Sequence, residues 1–114
     1  MNIWAPKNAT ARSKLPVFLW IYGGRFEGGA GSVPTYDGSH LAAKDMIVVT
    51  FNYRMGPFGF LAHPELQSES PHNSTGNYGI MDQQQAIEFL RHEVSAFGSD
   101  QRQDCRLYRR EWCP

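Results

Sequence analysis

Two short apolar runs, each cut off by glycine, restrict this chain more than any other feature of its sequence. Val17-Phe18-Leu19-Trp20-Ile21-Tyr22 follows Pro16 and stops at Gly23-Gly24. Met46-Ile47-Val48-Val49-Thr50-Phe51-Asn52-Tyr53 stops at Arg54 and Gly56. Both are rich in β-branched and aromatic side chains, and the first lacks the apolar–polar alternation of a half-exposed strand. Such runs read as strands buried on both faces, which is the habit of parallel sheets. Between them, Ser39-His40-Leu41-Ala42-Ala43-Lys44 carries a short helical signal, with Asp37 or Ser39 as its N-cap. Strand, glycine loop, helix, strand is a βαβ unit, for which a right-handed crossover is expected.

Beyond the second run, residues 56–66 mix Gly, Pro and Phe and read as irregular chain with one turn of helix; residues 67–76 read as a polar loop. Residues 80–94 form the best helix in the sequence. Ile80, Ile87, Leu90 and Val94, with Ala86 beside them, make one stripe at helical spacing. Asp82 in its first turn and Arg91 in its last both suit the helix dipole. From Gln101 the character changes: Gln-Arg-Gln-Asp-Cys-Arg-Leu-Tyr-Arg-Arg-Glu-Trp-Cys-Pro has only Leu107-Tyr108 as an apolar pair and reads as a solvated, frayed tail.

Composition narrows the function classes. At 114 residues the chain suffices for one modest domain, and 41% hydrophobic, 19% charged and 13% aromatic residues can build a packed core. A formal net charge of +0 provides no global field to recruit nucleic acid or an anionic membrane. No apolar run reaches the roughly 18–20 residues of a membrane span, and Met1 to Thr10 does not read as a secretory signal. Cys105 and Cys113 form no metal pattern and no disulfide framework, and no cofactor is called for. Asn8-Ala9-Thr10 and Asn73-Ser74-Thr75 are N-glycosylation acceptor triplets and point toward a secreted parent.

Five ordered motifs carry a family resemblance. Trp20-Ile21-Tyr22-Gly23-Gly24-Arg25-Phe26, followed by Glu27-Gly28-Gly29, resembles the loop after the third strand of type-B carboxylesterases and cholinesterases. Asn52-Tyr53-Arg54-Met55-Gly56-Pro57-Phe58-Gly59-Phe60-Leu61 is similar to that family's Asn/Ser-Tyr-Arg-x-Gly-x-x-Gly-Phe-Leu segment. Gly76-Asn77-Tyr78-Gly79-Ile80-Met81-Asp82-Gln83-Gln84 and Phe97-Gly98-Ser99-Asp100 resemble its Gly-Asn-x-Gly-Leu-x-Asp-Gln and Phe-Gly-Gly-Asp segments, and Met1-Asn2-Ile3-Trp4-Ala5-Pro6 resembles a strand near its N-terminus. The resemblance implies an α/β fold: a partial α/β-hydrolase domain over residues 1–100, entered at the second strand, with 101–114 an aberrant arginine-rich tail. It implies serine chemistry on a small-molecule carboxylic ester, with backbone amides of the glycine loop holding the oxyanion.

By that resemblance the oxyanion loop is Gly23, Gly24 and Arg25, with the amides of Gly24 and Arg25 as donors. Arg25 departs from the family's third glycine: it keeps its N–H, while its cationic side chain either crowds the site or turns to solvent. Gly-x-Ser-x-Gly appears nowhere, so nucleophile, acid and base are absent from these residues and the chain is expected to be inactive by itself. Ser39 and Ser99 follow glycines outside any strand–turn–helix elbow. His40, His63, His72 and His92 show no triad order and read as surface or satisfied histidines. Asp82 reads as a capping or dipole residue; for Arg54 a buried ion pair and a solvated position are both open, and Glu93 is a charge beside an apolar segment. A non-catalytic cholinesterase-like binding or adhesion domain is the alternative function, and a nucleotide-binding module fails for want of a phosphate loop.

The tail invites a reading-frame explanation. Should Arg109 end in G, Arg110 be CGA and Glu111 GAG, a one-base shift reads Gly-Glu-Ser-Gly followed by Ala or Val, directly after Leu107-Tyr108. A frameshift, a retained intron or a gene-model error near residue 101 or 109 is therefore expected. Sequencing the transcript checks this, and an uninterrupted frame through Pro114 with no esterase-like reading downstream removes it.

Overall fold

The β-branched run at residues 47–50 becomes the centre of a four-stranded sheet. The computed structural model describes residues 1–99 and a strand at Arg106–Arg109. Strands β1 (Asn2–Trp4), β2 (Val17–Ile21), β3 (Ile47–Thr50) and β4 (Arg106–Arg109) lie in the order β1-β3-β2-β4. β2 and β3 run parallel, Val17 opposite Ile47 and Trp20 opposite Thr50, as the βαβ reading requires. β1 lies antiparallel on β3, with Ile3 opposite Val49. The crossover between β2 and β3 contains a 3-10 turn at Pro34–Tyr36 and the helix α1 (Ser39–Ala42). The N-cap of α1 is Gly38, neither of the two expected residues; Asp37, one position earlier, accepts the Ser39 amide at its Oδ1 at 2.8 Å.

Burial corrects one expectation. All four residues of β3 are buried, but β2 alternates: Val17, Leu19 and Ile21 are buried, whereas Phe18 and Trp20 are half-buried. Among the described residues, the 3-10 turn and α1 lie over that second face, where Tyr36 sits 5.3 Å from the Trp20 ring. The opposite face carries the main core, in which Val17, Leu19, Ile21, Ile47, Val49, Phe51 and Tyr53 meet Ala86, Leu90 and Val94.

The last three of these come from α4 (Tyr78–Glu93) and the 3-10 turn Val94–Phe97 that ends it. The expected stripe holds, with Ile80 and Ile87 half-buried, and Gln83 joins its buried positions. Residues 56–69 are more helical than the sequence suggests. Both α2 (Gly56–Phe60) and α3 (Pro64–Glu69) start with proline in the first turn, where its missing N–H costs nothing. The last turn of α3 therefore takes residues 67–69 from the expected polar loop.

The tail also differs. Arg106–Arg109 pairs in parallel with β2, Phe18 opposite Arg106 and Ile21 opposite Arg109, instead of fraying. The free edge of β2 presents backbone N–H and C=O groups, and an extended segment can satisfy them whatever its side chains. The rest of the tail, both cysteines included, lies outside the described residues.

Because α4 starts at Tyr78, Asp82 falls beyond its first turn and does not cap it. Its carboxylate instead receives Arg54: Nε to Oδ2 at 2.8 Å, Nη2 to Oδ1 at 2.7 Å, and the Arg54 amide to Oδ2 at 2.9 Å. The Arg54 guanidinium also lies 5.3 Å from the Tyr78 ring centre. This two-pronged pair ties the chain after β3 to α4. It is not the buried pair considered from sequence, since the side chains remain 52% and 27% exposed.

Two outcomes follow. Leu90 is 1% exposed within the core; Leu90→Ala should cost about 2–5 kcal/mol in denaturant unfolding. The side-chain hydrogen bonds from Arg54 hold the Asp82 carboxyl below its usual range. A depressed folded-state value means that the stabilisation is complete above the ordinary carboxylate pKa and lost as pH falls through the folded one. An exposed pair of this kind contributes about 0.2–1 kcal/mol, so Asp82→Asn should lower stability by that order at pH 7. The difference from the unsubstituted chain should shrink in acid, below the ordinary carboxylate range, as read by unfolding at each pH.

Candidate oxyanion loop

Beyond Tyr22, which follows β2, the chain reaches Gly23 and Gly24, which have no side chain to pack. Gly24 has φ +144°, and a Cβ added there would run into the Gly28 carbonyl oxygen. Arg25 and Phe26 follow at φ +56° and +62°, and the Glu27 amide donates to the Gly24 carbonyl at 2.9 Å. Two left-handed residues inside a hydrogen-bonded turn are the arrangement of a type I′ turn, which normally selects Gly, Asn or Asp. With Arg and Phe at its centre the turn carries strain of about 1–2 kcal/mol per residue.

The chain that follows β3 holds this loop in place. The Tyr53 hydroxyl donates to the Tyr22 carbonyl at 2.8 Å, and the two rings stack with centres 5.0 Å apart. The Gly56 amide donates to the Phe26 carbonyl at 2.6 Å, and the Phe26 and Phe60 rings meet at 4.7 Å. Where the loop returns to the sheet, Gly31 donates to Asn52 Oδ1 at 2.8 Å and accepts from Thr50 Oγ1 at 2.8 Å. Burial pushes the Tyr22 phenol up in pKa, so this residue supports the loop as a neutral, buried ring.

Among the described residues, neither the Gly24 amide nor the Arg25 amide donates to any protein acceptor. Both residues are exposed, and Arg25 lines an open depression of about 540 Å³ with Phe26, Glu27, Gly56, Pro57, Phe60 and Leu61. Arg25 forms no ion pair with a described residue. The strained backbone thus leaves two neighbouring donors open at the end of a parallel strand, where α/β sheets present their chemistry.

The other residues singled out by sequence do not gather around the loop. His40 lies on α1, His92 in the last turn of α4, and His72 in the loop after α3. His63 precedes α3, where its Nδ1 accepts the Glu65 amide at 3.3 Å. All four histidines are exposed. Ser39 starts α1 and Ser99 is buried beside Leu15, to which it bridges. Glu93 is exposed at the end of α4. Asn8 and Asn73 are both exposed, as acceptor sites must be. Among the described residues no group of His, Cys, Asp and Glu could hold a metal, and no helix is long and apolar enough to cross a membrane. Sequence reasoning missed Thr50, Asn52 and Tyr53, although their period-two spacing placed Thr50 and Asn52 on one side of the strand.

Known proteins share this architecture. The carboxylesterase family model matches residues 1–103. Fumonisin B1 esterase of Sphingopyxis macrogoltabida is 52% identical over 100 residues, covering 88% of this chain and 18% of that protein. Para-nitrobenzyl esterase of Bacillus subtilis (strain 168) is 50% identical over 101 residues, covering 88% and 19%. The solved Geobacillus stearothermophilus carboxylesterase EST55 superposes with a TM-score of 0.75 at 44% identity, over 86% of this chain and 20% of that one. The chain spans about a fifth of the length of these relatives. Motif order, parallel sheet and glycine loop agree with these likenesses, and the chain belongs to the carboxylesterase family.

Proposed function

We propose that these residues are the oxyanion-loop region of a serine carboxylic-ester hydrolase. The observation that carries this is the pair of acceptor-free amides at Gly24 and Arg25, left open by a turn that the chain holds against strain. As a nucleophile attacks an ester, negative charge builds on the carbonyl oxygen, and fixed donors aimed there stabilise the transition state more than the ground state. Backbone amides suit this role because they need no reorganisation when the charge develops. Arg25 keeps its donor, and its side chain borders the depression beside the loop.

The substrate in this reading is a small carboxylic ester. Serine nucleophile, acid and base lie outside these 114 residues, so the chain alone carries no turnover. Exposed acceptor triplets at Asn8 and Asn73 fit a secreted parent.

A graft tests the reading. Residues 1–99 replace the matching segment of the B. subtilis para-nitrobenzyl esterase, and hydrolysis of a chromogenic short-chain ester is measured. The graft should be active and the free chain inactive; Gly24→Ala in the graft should lower kcat by about 10²–10³. A folded graft no faster than the free chain, or free-chain turnover blocked by a serine-directed organophosphate, would contradict the reading.

A further inference from the structure

The side chains of Thr50 and Asn52 project to the same side of β3 and its extension, because residues two apart in an extended chain share a face. Both reach Gly31, one at its carbonyl and one at its amide. Gly31 is buried against the backbone of Phe51, where an added Cβ would stand 3.0 Å from the Phe51 carbonyl oxygen. Thr50 is wholly buried, and its hydroxyl also receives the Asn2 carboxamide at 3.1 Å. Asn52, by contrast, is exposed, so its side chain is not needed to fill the core. What it supplies is one uncharged acceptor at the point where the loop returns to the sheet.

We propose that Asn52 is a positioning residue for the loop amides: through Gly31 it sets the placement of Gly24 and Arg25. The oxyanion part of this statement rests on the function proposed above. Tyr53 and Gly56 hold the start and the tip of the loop, and neither constrains its return. Without the Asn52 acceptor, the Gly31 amide loses its partner and residues 24–29 can shift relative to β3. The strained turn at Arg25 and Phe26 then has a route to relax.

The test uses the full 114-residue chain, labelled for amide NMR. Asn52→Ala should speed Gly31 amide exchange by about tenfold, the loss of one net hydrogen bond. It should also displace the Gly24 and Arg25 amide resonances while leaving those of Leu19 and Val49 unmoved. Asn52→Asp keeps an acceptor oxygen and should restore Gly31 protection and the loop resonances. Unmoved Gly24 and Arg25 signals, displacement spread equally to Leu19 and Val49, or no rescue by Asp would each overturn the proposal. Should Asn52→Ala fail to fold, Asn52→Leu keeps the size of the side chain without an acceptor and should move the same resonances; their staying put overturns the proposal equally. No ester enters this readout, so an inactive graft combined with these shifts would defeat the hydrolase reading alone, and an active graft without them would defeat only the role of Asn52.

Discussion

The parallel pairing of β2 with β3 is the constraint on which everything else depends. It places the exit of β2 beside the exit of β3, so the chain leaving one strand can grip the loop leaving the other. Thr50, Asn52, Tyr53 and Gly56 then fall within reach of Gly31, Tyr22 and Phe26. An antiparallel pairing would put these two exits at opposite ends of the sheet, and no such grip could form. α4 completes the arrangement by covering the core face and fixing Arg54 through Asp82.

Magnitudes explain why so many contacts converge on one loop. Two left-handed non-glycine residues cost about 1–2 kcal/mol each, and an internal hydrogen bond contributes about 0.5–1.5 kcal/mol net. A single tether could not hold the turn at Arg25 and Phe26; several together can, with the Phe26–Phe60 and Tyr22–Tyr53 ring contacts adding to them. Strained backbone of this kind persists only where the surrounding structure over-determines it, as these contacts do. Arg25, at positive φ, carries part of this strain and keeps its backbone N–H.

Much of this was legible in the residues. The apolar runs marked β2 and β3, the glycines marked the loop between them, and the stripe from Ile80 to Val94 marked the helix over the core. Asp82 was misread because its place near a helix start suggested a dipole role, whereas its partner Arg54 lies 28 residues earlier in the chain. The strand at Arg106–Arg109 was missed since backbone pairing to an open edge leaves no side-chain pattern. Phe18 and Trp20 were expected to be buried, and the short elements over their face leave them half-covered.

Local chemistry therefore determined β2, β3 and α4 as element types, the turn glycines and the family, because strand propensity, backbone freedom and motif order are properties of neighbouring residues. Tertiary structure alone decided which groups hold the loop. Asn52 lies 21 residues from Gly31 and Tyr53 lies 31 from Tyr22. Contacts across such separations exist only after the sheet has brought two strand ends together, and no local pattern records them.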